Sequence, residues 1–409
     1  MKIISVVGAR PNFMKIAPFM RAIENHNNQN KEQIAHKLVH TGQHYDDRMS
    51  KAFFESLGIP EADINLGVGS GTHSEQVGKT MMEFEKVLEQ EKPDWIVVVG
   101  DVNATLACSV AARKLHVNVC HIEAGLRSGD ERMPEEINRL VTDRLSNLLL
   151  TPDRLSSENL RKEGVPDEKI RFVGNIMIDT LEANRSTAEQ LNIKNIIEEN
   201  LIENQNSNYF SKTKSSADDY SQLTYALMTM HRPSNVDQKE ILEPLFGFLV
   251  DEVAEDLPLI WPIHPRSQER LKSFGLWEKA LQTENLILLH PVGYHEMVRL
   301  NMDSRIMLTD SGGLQEECCV LGTPCLTFRW NTERPVTLRE HNGASVLVGN
   351  SVQRIRKEYQ DTLKLNRTPQ RPELWDGHTA MRCVKAIVDQ HVQLENNKKG
   401  FAEKTSKQM

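Results

Sequence analysis

Ile3-Ile4-Ser5-Val6-Val7-Gly8-Ala9-Arg10-Pro11-Asn12-Phe13-Met14-Lys15 is an apolar strand that breaks at a glycine and enters a helix through a proline. Pro11 suits the first position of a helix, and Phe13, Ile16, Ala17, Met20 and Ile23 then fall on one apolar face. The same device returns in the second half of the chain. There Arg305-Ile306-Met307-Leu308-Thr309 runs into Asp310-Ser311-Gly312-Gly313-Leu314-Gln315-Glu316-Glu317. A helix N-terminus presents unpaired N–H groups and the positive end of its dipole, so each junction suits a phosphate. Two such junctions predict a nucleotide diphosphate held between two domains.

Outward from these junctions, short β-branched runs alternate with helical periodicity, the pattern of an α/β fold with parallel sheets. Strands are predicted at about 2–7, 35–41, 95–100, 117–123, 147–151 and 170–174. A second series is predicted at about 225–230, 258–263, 286–290, 305–309, 325–329 and 345–349. A chain of 409 residues exceeds one ordinary core, so two domains are expected. The stretch from about 198 to 221 has no usable periodicity and reads as a mobile surface loop. Pro372-Glu373-Leu374-Trp375-Asp376-Gly377 and the amphipathic run behind it read as a final docking helix.

A net charge of −8 argues against a nucleic-acid partner. No apolar stretch approaches a membrane span, and the N-terminal apolar run is too short for a signal peptide. The six cysteines show no CxxC or Cys/His ligand spacing, and are expected to be reduced core thiols of a cytoplasmic protein. No metal or cofactor motif stands out; GxGxxG is absent from the first strand turn, as are a Walker lysine motif and HExxH.

In open parallel sheets, ligands bind beyond the carboxyl ends of the strands. Arg10, Asp101, Glu123, His231, His264 and Ser311 all follow predicted strands. Arg10, Lys15 and Arg334, with the amides of Gly312 and Gly313 and the Ser311 hydroxyl, form the candidate anion grip. Glu316 and Glu317 at that helix start are candidate acceptors for ribose hydroxyls. Asp101, Glu123, Glu135 and His231 form the candidate acid/base set. Each has a plainer reading: Ser-Gly-Gly as a tight turn, Asp101 as a helix cap, Glu135 and Glu136 as charges complementing a helix dipole.

A longer series of blocks resembles the non-hydrolysing UDP-N-acetylglucosamine 2-epimerases. It comprises Gly8-Ala9-Arg10-Pro11 with Lys15, Thr41-Gly42-Gln43-His44, Gly100-Asp101, His121-Ile122-Glu123-Ala124-Gly125-Leu126-Arg127, and Pro134-Glu135-Glu136 with Asn138-Arg139. It continues with His231-Arg232-Pro233, Pro262-Ile263-His264-Pro265, Asp310-Ser311-Gly312-Gly313 with Gln315-Glu316-Glu317, and Thr332-Glu333-Arg334-Pro335. The resemblance implies a GT-B-type fold of two Rossmann-like parallel α/β domains with the active site in the interdomain cleft. It puts their extents at about 1–173 and about 174–365, with a helix at about 372–395 packing back onto the first, and implies a homodimer. It implies a UDP-sugar substrate whose C2 is inverted by elimination and re-addition of UDP, for surface polysaccharide precursors. Asp101, Glu123, Glu135, His231 and Lys15 would be catalytic. Arg10, Gln43, His44, Arg139, His264, Ser311, Gly312, Gly313, Glu317 and Arg334 would bind substrate. The rivals are epimerisation of a modified UDP-sugar, a hydrolysing epimerase, a glycosyltransferase and a non-catalytic sugar-nucleotide sensor.

Overall fold

The computed structural model describes residues 1–42, 58, 61–205 and 223–406. Its contacts divide the chain into two compact units, Met1–Thr180 with Glu373–Met409, and Leu181–Pro372. Each unit is built on one parallel sheet. The first sheet has strand order β3-β2-β1-β4-β5-β6-β7. Its strands are β1 (Lys2–Val7), β2 (Ala35–His40), β3 (Ile64–Asn65), β4 (Trp95–Val99), β5 (Asn118–Ile122), β6 (Leu148–Thr151) and β7 (Ile170–Phe172). The second runs β10-β9-β8-β11-β12-β13. It comprises β8 (Ala226–Thr229), β9 (Leu259–Pro262), β10 (Leu286–Leu289), β11 (Ile306–Thr309), β12 (Cys325–Thr327) and β13 (Ser345–Leu347).

The strand cores are apolar on both faces because helices cover both sides of a parallel sheet. Every residue of β4 and β11 is buried, and Ile4 registers against Ile96 as Leu308 does against Met228. The strand order reverses between β1 and β4 in one unit and between β8 and β11 in the other. A crevice opens at such a reversal, at the carboxyl ends of the strands. In the first unit the segments leaving that point are Gly8–Lys15 and Gly100-Asp101; in the second they are His231-Arg232 and Ser311–Gly313.

The closing helix, Thr379–Ser406, belongs to the first unit and packs on the helix Arg10–Gln29. Asp179 accepts from the N–H groups of Thr379 and Ala380 at its start, and Trp375 Nε1 donates to the Pro152 carbonyl. Arg382 Nε donates to the Val173 carbonyl at 2.6 Å.

The sequence reading of about 198–221 needs correction at its start. The helix Ile193–Asn200 covers that point, Leu201 bridges antiparallel to Leu289, and residues 206–222 lie outside the described residues. All six cysteines are buried and unbridged. No described helix is long and apolar enough to cross a membrane.

Candidate active site

In the first unit, Asn12 joins the two segments at the switch point. Its Oδ1 accepts from the N–H groups of Gly8 and Ala9, and its Nδ2 donates to the Val99 carbonyl at 2.9 Å. One turn further along the same helix, Lys15 forms a buried ion pair with Glu123. Glu123 follows β5 with φ of 68°, a left-handed conformation that costs a non-glycine residue about 1–2 kcal/mol.

Asp101 follows β4 and is not the cap of the next helix: Asn103–Lys114 starts behind Val102 with no side-chain cap. Its carboxylate instead accepts from Arg139 Nη1 at 2.5 Å, and Asn138 Nδ2 donates to its carbonyl at 2.8 Å. Arg139 is only 2% exposed and also bonds the buried Glu136, which accepts from the N–H groups of Ser128 and Gly129. Arg139, expected to meet substrate, is held between the Asp101 and Glu136 carboxylates. Of the two glutamates that follow Pro134, Glu135 is exposed and Glu136 is the internal one.

These partners share the helix Pro134–Leu145, whose pattern is inverted. Glu136, Asn138, Arg139, Thr142 and Asp143 are buried, while Ile137 and Val141 are exposed. Charged side chains at i, i+3 and i+7 with apolar ones facing outward were the readable signal that this helix serves a polar interior.

In the second unit, the helix Gly312–Leu321 follows β11 behind Ser311, whose hydroxyl makes no capping bond. Arg329, Glu333 and Arg334 crowd its first residue: a Cβ on Gly312 would lie 3.0 Å from Arg334 Nη1 and from Glu333 Oε1. Gly313 is open, with nothing closer to its Cβ position than Ser311 Oγ at 4.0 Å. Arg334 also bonds Glu316 at 2.6 Å, so this cation is buried among carboxylates. Glu316 and Glu317 are not at the helix mouth. Both are buried, and burial pushes the Glu317 carboxyl up to about 8, with the Glu316 charge adding to it against the Tyr294 hydroxyl.

Asp310, fully buried, organises the loop after β8. It accepts from the N–H groups of His231 and Arg232 and from Asn235 Nδ2, and its other oxygen lies 3.1 Å from His231 Nδ1. Burial pushes this carboxyl up, but its bond to His231, the His231 charge and the backbone donors outweigh that and hold it low. The half-exposed His231 ring lies 5.2 Å from that of His264, whose Nδ1 accepts from the Arg266 N–H. Burial first, and the neighbouring His231 second, lower the His264 pKa. Arg10 opens the helix Arg10–Gln29, while Gln43 and His44 lie outside the described residues.

Two parallel α/β units, each with its polar residues at a switch point, define a GT-B-type protein. A lipopolysaccharide outer core galactosyltransferase shares the fold alone, at 13% identity and a TM-score of 0.51 over 95% of this chain and 100% of that one. The chain belongs to the UDP-N-acetylglucosamine 2-epimerase family, whose model matches residues 26–388. It is 39% identical to the Methanocaldococcus jannaschii UDP-GlcNAc 2-epimerase crystallised with UDP-GlcNAc and UDP, with a TM-score of 0.81 over 95% of this chain and 99% of that one. It is 38% identical to the UDP-2,3-diacetamido-2,3-dideoxy-D-glucuronate 2-epimerase of Pseudomonas aeruginosa, over 85% of this chain and 88% of the relative.

Proposed function

We propose that the protein interconverts UDP-N-acetylglucosamine and UDP-N-acetylmannosamine without net hydrolysis. The C2 proton of the sugar is not adjacent to a carbonyl, so direct deprotonation is slow. Elimination avoids this: a base takes the C2 proton, that C–H electron pair becomes a C1=C2 double bond, and the C1–O bond to UDP breaks. UDP then adds back to C1 of the 2-acetamidoglucal as C2 is protonated on the opposite face. No water is consumed.

The chemistry needs proton carriers and a strong grip on the departing diphosphate. Asp101, Glu123, Glu135 and His231 serve as the proton carriers, with Arg139 orienting Asp101. Lys15 and Arg10 balance the leaving charge. Ser311, Gly312, Gly313 and Arg334 hold the diphosphate, with His264, Glu317, Gln43 and His44 on the rest of the nucleotide sugar. The observation that carries this reading is the pair Asp101 and Glu123. They leave adjacent strands of one sheet, each against its own cation, in a chain of this family.

The wider setting is part of the same proposal: a cytoplasmic homodimer that feeds surface polysaccharide synthesis. Ile137 and Val141, exposed one turn apart on one helix, are apolar surface for a second copy to cover; light scattering at twice the chain mass would support the dimer.

The test is incubation with UDP-N-acetylglucosamine in D2O followed by NMR. UDP-N-acetylmannosamine carrying deuterium at C2 is expected. Free N-acetylmannosamine with UDP would establish the hydrolysing reaction instead. The Pseudomonas relative favours a second reading, a diacetamido uronate on the nucleotide. Turnover of that sugar with UDP-N-acetylglucosamine left untouched would replace the first.

A further inference from the structure

His121 and Asp143 lie behind the carboxylates, and neither has a part in the reaction as written above. His121 is fully buried in β5. Its Nε2 lies 2.9 Å from the Gly100 carbonyl, at the turn that carries Asp101, and its Nδ1 lies 2.6 Å from Asp143 Oδ1. A carbonyl only accepts, and so does an ionised carboxylate. Asp143 remains a carboxylate: burial pushes it up, but His121 and Arg127 pull it below its ordinary range. The ring therefore bridges the carbonyl of the Gly100 turn and the Asp143 carboxylate.

The second oxygen of Asp143 completes the arrangement. It accepts from the Gly125 N–H at 3.0 Å and from Arg127 Nη1 at 2.7 Å. Glu123 thus sits between two residues tied to one carboxylate, His121 two positions before it and Gly125 two after. Its left-handed backbone is unfavourable alone and persists where its surroundings over-determine it. Gly125 closes the far side. It has φ of 81°, and a Cβ there would lie 2.3 Å from the Ser156 carbonyl, so the chain approaches more closely than any other residue permits.

We propose that Asp143 and His121 are a positioning pair for the epimerisation, clamping the strained backbone of Glu123 and the Gly100-Asp101 turn on one carboxylate. The pair touches no substrate. It sets where the two proton carriers point, so it acts on the rate of the proton transfers and not on nucleotide binding.

The inference rests on the proposed reaction, and its test is arranged so that the two can fail separately. The first arm needs no substrate: backbone amide hydrogen exchange of the wild-type protein is compared with that of Asp143→Asn. The Gly125 amide, which loses its charged acceptor, is expected to exchange about tenfold faster in the variant. Amides of the second unit serve as the control and are expected to exchange as in wild type. If Asp143→Asn does not fold, Asp143→Glu takes its place in the same comparison, and unchanged Gly125 exchange in the folded variant overturns the proposal.

The second arm is kinetic. Asp143→Asn is expected to lower kcat about 100-fold, the scale of a misplacement of about 1 Å. KM and UDP affinity should stay within about threefold, and Asp143→Glu should restore part of kcat. A folded Asp143→Asn with unchanged kcat, or with the loss in KM alone, overturns the clamp. Wild-type protein that turns over no UDP-N-acetylglucosamine overturns the proposed reaction and leaves the first arm standing.

Discussion

The two switch points of this molecule are built on opposite principles. In the first unit the charges are closed on themselves: Lys15 on Glu123, Arg139 on Asp101 and Glu136, and Asp143 on His121 and Arg127. In the second, Gly313 has open space at its Cβ position, while Arg334 and Arg329 stand at Gly312 against Glu316 and Glu333. Paired side chains are held in direction, which suits groups that must meet a proton at a fixed place. A helix start with room at its second residue suits an anion that arrives and departs. Under the proposed reaction most proton carriers fall in the first unit and most diphosphate contacts in the second, with His231 and Lys15 crossing that division. Substitutions on each side test it.

The largest effect is expected at Asp101. Asp101→Asn keeps the volume and removes the proton carrier, so kcat should fall about 1,000-fold, within the range of general acid–base catalysis. Isothermal titration with UDP should detect little change, and undiminished turnover would return Asp101 to a purely structural role. Gly312→Ala is the reciprocal test. The new methyl would press on Arg334, Glu333 and Arg329, so UDP binding should weaken about tenfold, or about 1.4 kcal/mol. Deuterium exchange at C2 under saturating substrate should hold within about threefold. A loss of exchange with intact UDP binding would erase the division.

The smallest effect concerns stability. The Glu317 carboxyl ordinarily titrates near 4.5 and is pushed to about 8 by burial in the folded chain. Between those values the fold holds a proton that the unfolded chain has released, so stability declines as pH rises through that window. Glu317→Gln removes this contribution. Its melting temperature should therefore fall less than that of wild type between about pH 5 and about pH 8. Parallel melting curves would show that the buried carboxyl does not titrate there.

The α/β class was legible because the buried strands are nearly continuous apolar runs such as Trp95–Val99. Ile64–Asn65 is too short to announce itself, and its pairing with β2 comes from the neighbouring sheet edge. Strand-end side chains were readable because topology sends them to one rim. Their supports were not, since Arg139 meets Asp101 across 38 positions and Asp143 meets His121 across 22. Local pattern says nothing of such pairings except in the inverted helix Pro134–Leu145, where polar periodicity marks an interior.

The return of the chain to its first unit sets an order of events during synthesis. Every residue of the second unit is made before Glu373, whereas the first lacks the helix capped by Asp179 until the ribosome has passed Thr379. Domains ordinarily mature from the N-terminus onward. Here the later-begun unit has its full complement first, and the first unit waits on the helix Thr379–Ser406.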